Sequence, residues 1–309
     1  MQIDFGVYGS LGFKVFIHKI YLMEKEVLDN YKKAQTISKD VMSFARGLVK
    51  ENAKVLDVAE EIEKKIKDIG GNLAFPVNIS INENAAHYTP DVNDSLLLKE
   101  NDLVKIDAGV HCDGYIWDKA FSVCVGKKTH PLIEASEKGL QEALKLIKPG
   151  TKVFEISEVV EDTVKNLGFN PVHNLCGHGL EQFNQHAPPS IPNGKNTIQE
   201  EIEGGQVIAM EVFTTNGTGL VKESSPVLIY RFSQDKPVRL WEARKILEKS
   251  KIEFEGLPFA KRWLKEFSSL RIDLALKQLT DIGALTSYPI LKEETGGLVA
   301  QTEETIVIE

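Results

Sequence analysis

Two stretches of this chain repeat one another. Residues 50–70 read KENAKVLDVAEEIEKKIKDIG and residues 148–168 read KPGTKVFEISEVVEDTVKNLG, and they superpose at a constant offset of 98 positions. In the overlay Lys54 meets Lys152, Leu56 meets Phe154, Val58 meets Ile156, Ile62 meets Val160, Ile66 meets Val164, Ile69 meets Leu167 and Gly70 meets Gly168. The apolar matches follow helical steps, and a glycine closes each helix. Each helix then leads to a histidine, His87 or His186, and on to an apolar strand holding a carboxylate, Asp107 in LVKIDAG or Glu211 in VIAMEVF. A duplicated helix, loop and strand module predicts an α/β architecture with a pseudo-twofold, whose two halves bring histidines and carboxylates to one central site.

Around the duplication the patterning divides the chain. From Met23 to about Leu48, Val27, Tyr31, Ala34, Ile37, Val41 and Phe44 recur at three- and four-residue steps, an amphipathic helix that needs a partner to cover it. Three short helical patterns, 237–254, 257–267 and 272–282, then read as an inserted helical subdomain over 221–283. Strands are expected at 284–291 and 297–308, the last a buried sheet member closing a main domain of 23–220 and 284–309. Residues 1–22 read as an N-terminal extension whose status the sequence leaves open, since Met23 is a second candidate start.

Composition narrows the function. The 37 Lys and Arg against 45 Asp and Glu give a net charge of −8, which argues against a broad nucleic-acid-binding face. No run approaches the roughly 20 apolar residues of a membrane helix. Asp4, Lys14 and Lys19 interrupt the N-terminus, which does not read as a signal peptide, and Cys112, Cys124 and Cys176 form no paired framework. A cytoplasmic chain with reduced thiols is expected.

The strongest local signal is KIDAGVHCDGYIWDKAFSV, two β-rich runs about Asp113-Gly114. With the hairpin centred between Cys112 and Asp113, Asp107 and Asp118 face each other with Cβ atoms about 4.5–5.5 Å apart. Such a pair needs a shared proton or divalent cations, while a solvated hairpin with incidental acids accounts for the motif equally well. In HNLCGHGLEQFNQH, Gly177 and Gly179 flank His178 and permit close backbone approach, whereas His173, His18 and His111 read as structural. Glu211, in the apolar strand VIAMEVF, must be paired, protonated or metal-bound, whereas for Glu303 in AQTEETIVI an incidental acid weighs more, since Glu304 sits beside it and chain ends are often acidic. Strand alternation lets only one of Glu303 and Glu304 enter a shared site.

In order, His87 in AAHYTP, Asp107 in KIDAG, Asp118 in YIWDKAFSV, His178 in CGHGLEQF, Glu211 in AMEVF and Glu303 in AQTEET resemble the successive motifs of the methionine aminopeptidases, from about Met23 to the chain's end. The insertion over 221–283 resembles the type II branch of archaea and eukaryotes. The resemblance implies the pita-bread fold and removal of N-terminal methionine from nascent proteins whose second residue is small. It further implies that Asp107, Asp118, His178, Glu211 and Glu303 ligate two divalent ions, with Asp118 and Glu303 bridging. The donor set suits Mn, Fe or Co, with Zn also feasible. Glu211 would carry the proton, His87 would hydrogen-bond near the scissile amide, and His186 would steady the tetrahedral oxyanion. Phe75, Phe213 and Tyr288 match positions of the methionine side-chain pocket.

The implied partners are nascent polypeptides beginning with Met. A transient ribosome contact fits a co-translational role, although no residue specifies it; no membrane or specific nucleic acid is implied, and a monomer is expected. The chain departs from the family at Gln301-Thr302-Glu303-Glu304-Thr305, where Gln-Phe-Glu-His-Thr is common, at Gln185, where eukaryotic chains carry an aliphatic residue, and at Ile229, where they carry histidine. Those changes leave the pocket lining and substrate preference open. Competing readings are an aminopeptidase P or prolidase-like hydrolase, a metal-free pita-bread homologue that binds ribosome or RNA, and a scaffold whose acids are surface residues.

Overall fold

The computed structural model describes residues 23–309, so the extension over 1–22 lies outside the described residues. The first helices are α1 (Lys25–Leu48), α2 (Val55–Asp68), α3 (Pro131–Leu146) and α4 (Val153–Asn166). α2 and α4 are both 14 residues long and start and stop at the offset seen in the sequence. Each is preceded by a lysine in an isolated antiparallel bridge, Lys54 with Leu97 and Lys152 with Glu201. Each ends at a glycine of positive φ, Gly70 at 85° and Gly168 at 84°, a backbone that favours glycine. The apolar stripe of α1 buries Tyr31, Ala34, Ile37 and Val41, while Phe44 stays at the rim with 37% exposure.

The main sheet has nine strands. They are β1 (Asn72–Leu73), β2 (Asn78–Ile81), β4 (Leu103–Cys112), β5 (Tyr115–Cys124), β6 (Asn170–Pro171), β7 (Cys176–Glu181), β8 (Asn184–Pro192), β9 (Val207–Thr215) and β13 (Val299–Val307). Their order is β1-β4-β5-β13-β9-β7-β8, with β2 beside β4 and β6 beside β9. The C-terminal strand β13 therefore lies between the two halves, paired to β5 on one side and β9 on the other. Alternation sorts its residues by face. On β4, Val104, Ile106, Ala108 and Val110 join the core under α1 and α2, and on β9, Ile208, Met210 and Val212 join the core that includes α3 and α4. The odd-numbered positions of β4, β9 and β13 face the other way.

A second sheet, β11-β10-β12-β3, is built from β10 (Val221–Phe232), β11 (Phe259–Ala260), β12 (Leu285–Glu293) and β3 (Asn84–Ala86). The expected helical subdomain is therefore only partly helical. α5 (Trp241–Ile252) and α6 (Ser269–Asp281) match two of the three patterns, but residues 257–267 form β11 and a 3-10 turn, Lys261–Trp263. β10 opens the segment as a strand twelve residues long and pairs with β12, so 221–283 is continuous with its flanks through a sheet.

Glu293 fastens the two sheets' connections. Its Oε1 accepts from Thr218 N–H at 2.7 Å and Thr218 Oγ1 at 3.0 Å, and its Oε2 accepts from Thr295 N–H, Thr295 Oγ1 and Gly297 N–H, each at 2.8 Å. Burial alone would push this carboxyl up, but the hydrogen bonds prevail and hold its pKa at about 2. The folded pKa lies below the unfolded value near 4.5, so the stabilisation is full above 4.5 and drains as pH falls toward 2. In Glu293→Gln an amide NH₂ faces donors that a carboxylate oxygen accepted. Thermal unfolding at pH 7 should show a loss of about 2–3 kcal/mol, with a flatter acid limb between pH 5 and 2; an unchanged curve would rule the fastening out.

Candidate active site

The carboxylates are arranged by register. Asn78 of β2 pairs with Asp107, Asp107 with Ala120 of β5, Ala120 with Glu303 and Glu303 with Glu211, a single row crossing five strands. Ala120 leaves room in the middle of that row. Asp118 stands two residues along β5 from Ala120 and so on the same face, and His178 pairs with Ala209, two residues before Glu211. One ligand atom each from Asp118, His178 and Glu303 lies within 4.8 Å of the others. Gln301, two residues before Glu303, joins the remaining pair, its Nε2 3.1 Å from Glu211 Oε2 and 3.5 Å from Asp107 Oδ2.

One expected detail differs. Asp118 is opposite Gly109, and Asp107 is opposite Ala120. The two-residue turn is Asp113-Gly114, with φ of 53° and 80°, closed by the Cys112 and Tyr115 pair. The two aspartates are consequently diagonal neighbours on one face instead of directly opposed.

Packing around His178 requires the glycines beside it. A Cβ on Gly179 would meet Pro188 O at 1.9 Å, and one on Gly177 would meet Ala209 O at 2.8 Å. His178 Nδ1 is 3.3 Å from the Gly179 carbonyl, to which it can only donate, leaving Nε2 free for a ligand. Burial lowers its pKa to about 4, so the ring is neutral at pH 7.

The acids behave in the opposite sense. Burial raises Asp107 to about 7 and pushes Asp118, Glu211 and Glu303 well above the usual carboxylate range, with neighbouring carboxylates adding to the last three. Asp107 Oδ1, Asp118 Oδ1 and Glu303 Oε1 are buried without a hydrogen-bond partner among the described residues. Four crowded carboxyls, three of them with an orphaned oxygen, and one neutral imidazole form a donor set that fits divalent cations.

These groups line a cavity of about 310 Å³. His87, His186, Phe75, Phe213 and Tyr288 also line it, so the five candidate metal ligands and these five residues share one cavity. His87 has φ 65°, an uncommon conformation for a residue with a side chain. Its Nδ1 donates to Pro289 O at 3.1 Å, and its ring meets Tyr288 edge-on at 5.5 Å. His186 sits at the open side, 4.7 Å from the His178 ring between centroids, and packing together with His178, His87 and Arg231 disfavours its protonation.

The departures from the family separate into two kinds. Gln185 and Ile229 are buried and line the cavity, with Gln185 Nε2 3.4 Å from Tyr288 Oη. Glu304 faces the opposite side of β13, bound to Lys119 and accepting from Trp117 Nε1 at 3.2 Å, and does not reach the cavity. Gln301 carries no chemical signature in the sequence, although its position two residues before Glu303 puts it on the ligand face.

A cage of carboxylates and one imidazole on the shared face of a duplicated sheet defines a metallohydrolase, and the profile of metallopeptidase family M24 matches residues 29–255. The chain belongs to that family. Within it the chain is 46% identical over 279 residues to the methionine aminopeptidase of Thermococcus onnurineus, covering 90% of this chain and 95% of the relative. The methionine aminopeptidase of Pyrococcus horikoshii is 44% identical over 287 residues, covering 91% and 96%. Among solved structures, the methionine aminopeptidase of Thermotoga maritima superposes with a TM-score of 0.68 at 20% identity, covering 94% of this chain and 95% of that one, and so shares the pita-bread fold. The protein is a metal-dependent aminopeptidase, and membership of the family implies use of divalent metal.

Proposed function

We propose that the chain removes N-terminal methionine from nascent polypeptides whose second residue is small, using two divalent ions held by Asp107, Asp118, His178, Glu211 and Glu303. The observation that carries this reading is the cross-strand row of carboxylates with orphaned oxygens at the floor of an aromatic-walled cavity. Asp118, His178 and Glu303, with donor atoms within 4.8 Å of one another, would form the centre of the ligand set, and Asp107 and Glu211 would complete it. Four carboxylates close to neutralise two dications, and Mn, Fe, Co and Zn all suit the donors. Divalent ions bound there lower the pKa of water and polarise a carbonyl.

The chain's own groups supply the rest. Phe75, Phe213 and Tyr288 offer ring faces to an unbranched thioether side chain, which fixes the methionine and presents its first peptide bond. Glu211, held by Gln301, takes the water's proton and delivers it to the leaving amine. His87 uses Nδ1 on Pro289 O, so its neutral Nε2 is the nitrogen left to accept the scissile amide N–H. His186 donates to the tetrahedral oxygen from the open side. A cytoplasmic location and a transient ribosome contact fit such a substrate; among the described residues no helix is long and apolar enough to cross a membrane.

The test is release of the N-terminal residue by metal-stripped protein, Met from Met-Ala-Ser and Ala from Ala-Pro-Ser, with and without Mn or Co. Metal-dependent release of Met alone is expected. Cleavage of only the proline peptide would move the activity to an aminopeptidase P, and silence on both in metal-loaded protein would leave a non-catalytic homologue.

A further inference from the structure

The insertion reaches into the back of the active-site wall through one buried arginine. Arg262, in the 3-10 turn after β11, is 1% exposed. Its Nη2 binds Glu63 Oε1 of α2, and its Nη1 donates to Thr89 Oγ1 and, at 3.2 Å, to Pro90 O. Trp263 Nε1 donates to the other Glu63 oxygen at 3.1 Å, and Val77 N–H donates to Glu63 Oε1 at 3.3 Å. Thr89 Oγ1 in turn donates to Val77 O at 2.8 Å. Directly, and through Glu63 and Thr89 to Val77, the guanidinium thus links three segments that each carry a cavity-lining residue: 75–77 with Phe75, 87–90 with His87, and 258–262 with Pro258.

A buried ion pair by itself is weak evidence of stabilisation, since desolvation offsets much of the attraction. Its use here follows from what it holds. His87 occupies a positive-φ conformation that the local chain does not favour, and such a conformation persists only where surrounding contacts over-determine it. On one side the Pro289 carbonyl holds the ring; on the other, Ile79 N–H donates to Tyr88 O at 2.7 Å, and Arg262 holds Thr89 and Pro90.

We infer that Arg262, through Thr89 and Pro90, is a positioning residue that keeps the His87 imidazole aimed at the substrate, so that the insertion contributes to turnover as well as to the pocket wall. The inference rests on the proposed role of His87. Lysine at 262 keeps a positive charge beside Glu63 but cannot fork to Thr89 and Pro90 as well. Thr89→Val removes the hydroxyl and leaves the Glu63 pair intact. Neither residue touches the cavity.

The experiment measures kcat and KM for Met-Ala-Ser, metal content and thermal unfolding for Arg262→Lys, Thr89→Val and His87→Ala, and for each of the first two combined with His87→Ala. Expected are kcat values about 10- to 100-fold lower in the two positioning variants, with KM and metal content near wild type. In the His87→Ala background the same changes should cost less than about twofold, because the group they aim is gone. Wild-type kcat in both positioning variants, or equal losses with and without His87, overturns the inference while leaving the role of His87 standing. Full turnover in His87→Ala itself removes that role and the inference with it.

Discussion

Glu211→Ala protein reconstituted with Mn or Co is expected to retain at most one cation per chain and to release methionine from Met-Ala-Ser more than about 10²-fold more slowly than the parent. Glu211 lies directly opposite Glu303 in the β9 and β13 pair, and its Oε2 accepts from Gln301. Truncation removes one of four carboxylates from the cage, takes away the proposed proton carrier and leaves the Gln301 amide without its nearer partner. Asp107→Ala, at the other end of the row, should likewise lose a cation, because Asp107 Oδ1 has no hydrogen-bond partner among the described residues. Elemental analysis of the folded variants beside peptide assays checks both. Two retained cations with undiminished turnover would mean that these acids are scaffold, the reading that a solvated hairpin originally allowed.

What could be read from the sequence followed from periodicity. The offset helices appear with identical lengths because their stripes and closing glycines are local signals. The C-terminal strand is legible as a sheet member from its Val and Ile residues, whereas its place between β5 and β9 is set by long-range pairing that no local period marks. Alternation also separated Glu303 from Glu304 correctly. Register was less legible: moving the hairpin centre by one residue displaces Asp107 from Asp118 by two positions, and the turn's positive-φ pair decides it.

Tertiary context hid the remainder. Ser224, Ser225 and Pro226 interrupt the pattern of β10, whose pairing with β12 shifts register on either side of Val227, so no clean period marks that strand. Residues 257–264 carry an apolar stripe that suits a helix, yet Phe259 and Ala260 pair with Tyr230 and Ile229 and stop it. An arginine in such a stripe is ordinarily solvated, and contacts with Glu63, 199 residues earlier, and with Thr89 and Pro90 accommodate Arg262 as a buried group. Gln301 was hidden for a different reason: an amide next to a ligand carries no chemical signature until its two carboxylate partners are seen.

His87→Ala should separate metal binding from turnover. None of the five proposed ligands hydrogen-bonds to His87, whose nearest fixed partners are Pro289 O and the Tyr288 ring. Both cations should therefore remain, and thermal stability should change little beyond the loss of one backbone contact. Turnover is expected to fall by about 10² or more, the usual consequence of removing a positioned acid–base or transition-state hydrogen-bonding group. Burial lowers the His87 pKa, so the ring is neutral at pH 7, and deletion should depress turnover across the neutral range. A rise in KM at constant kcat would instead make His87 a ground-state binding residue. The strained backbone of His87 sharpens the distinction: a conformation costing about 1–3 kcal/mol is maintained on both sides by contacts from separate segments, and that arrangement is consistent with an imidazole held for the transition state.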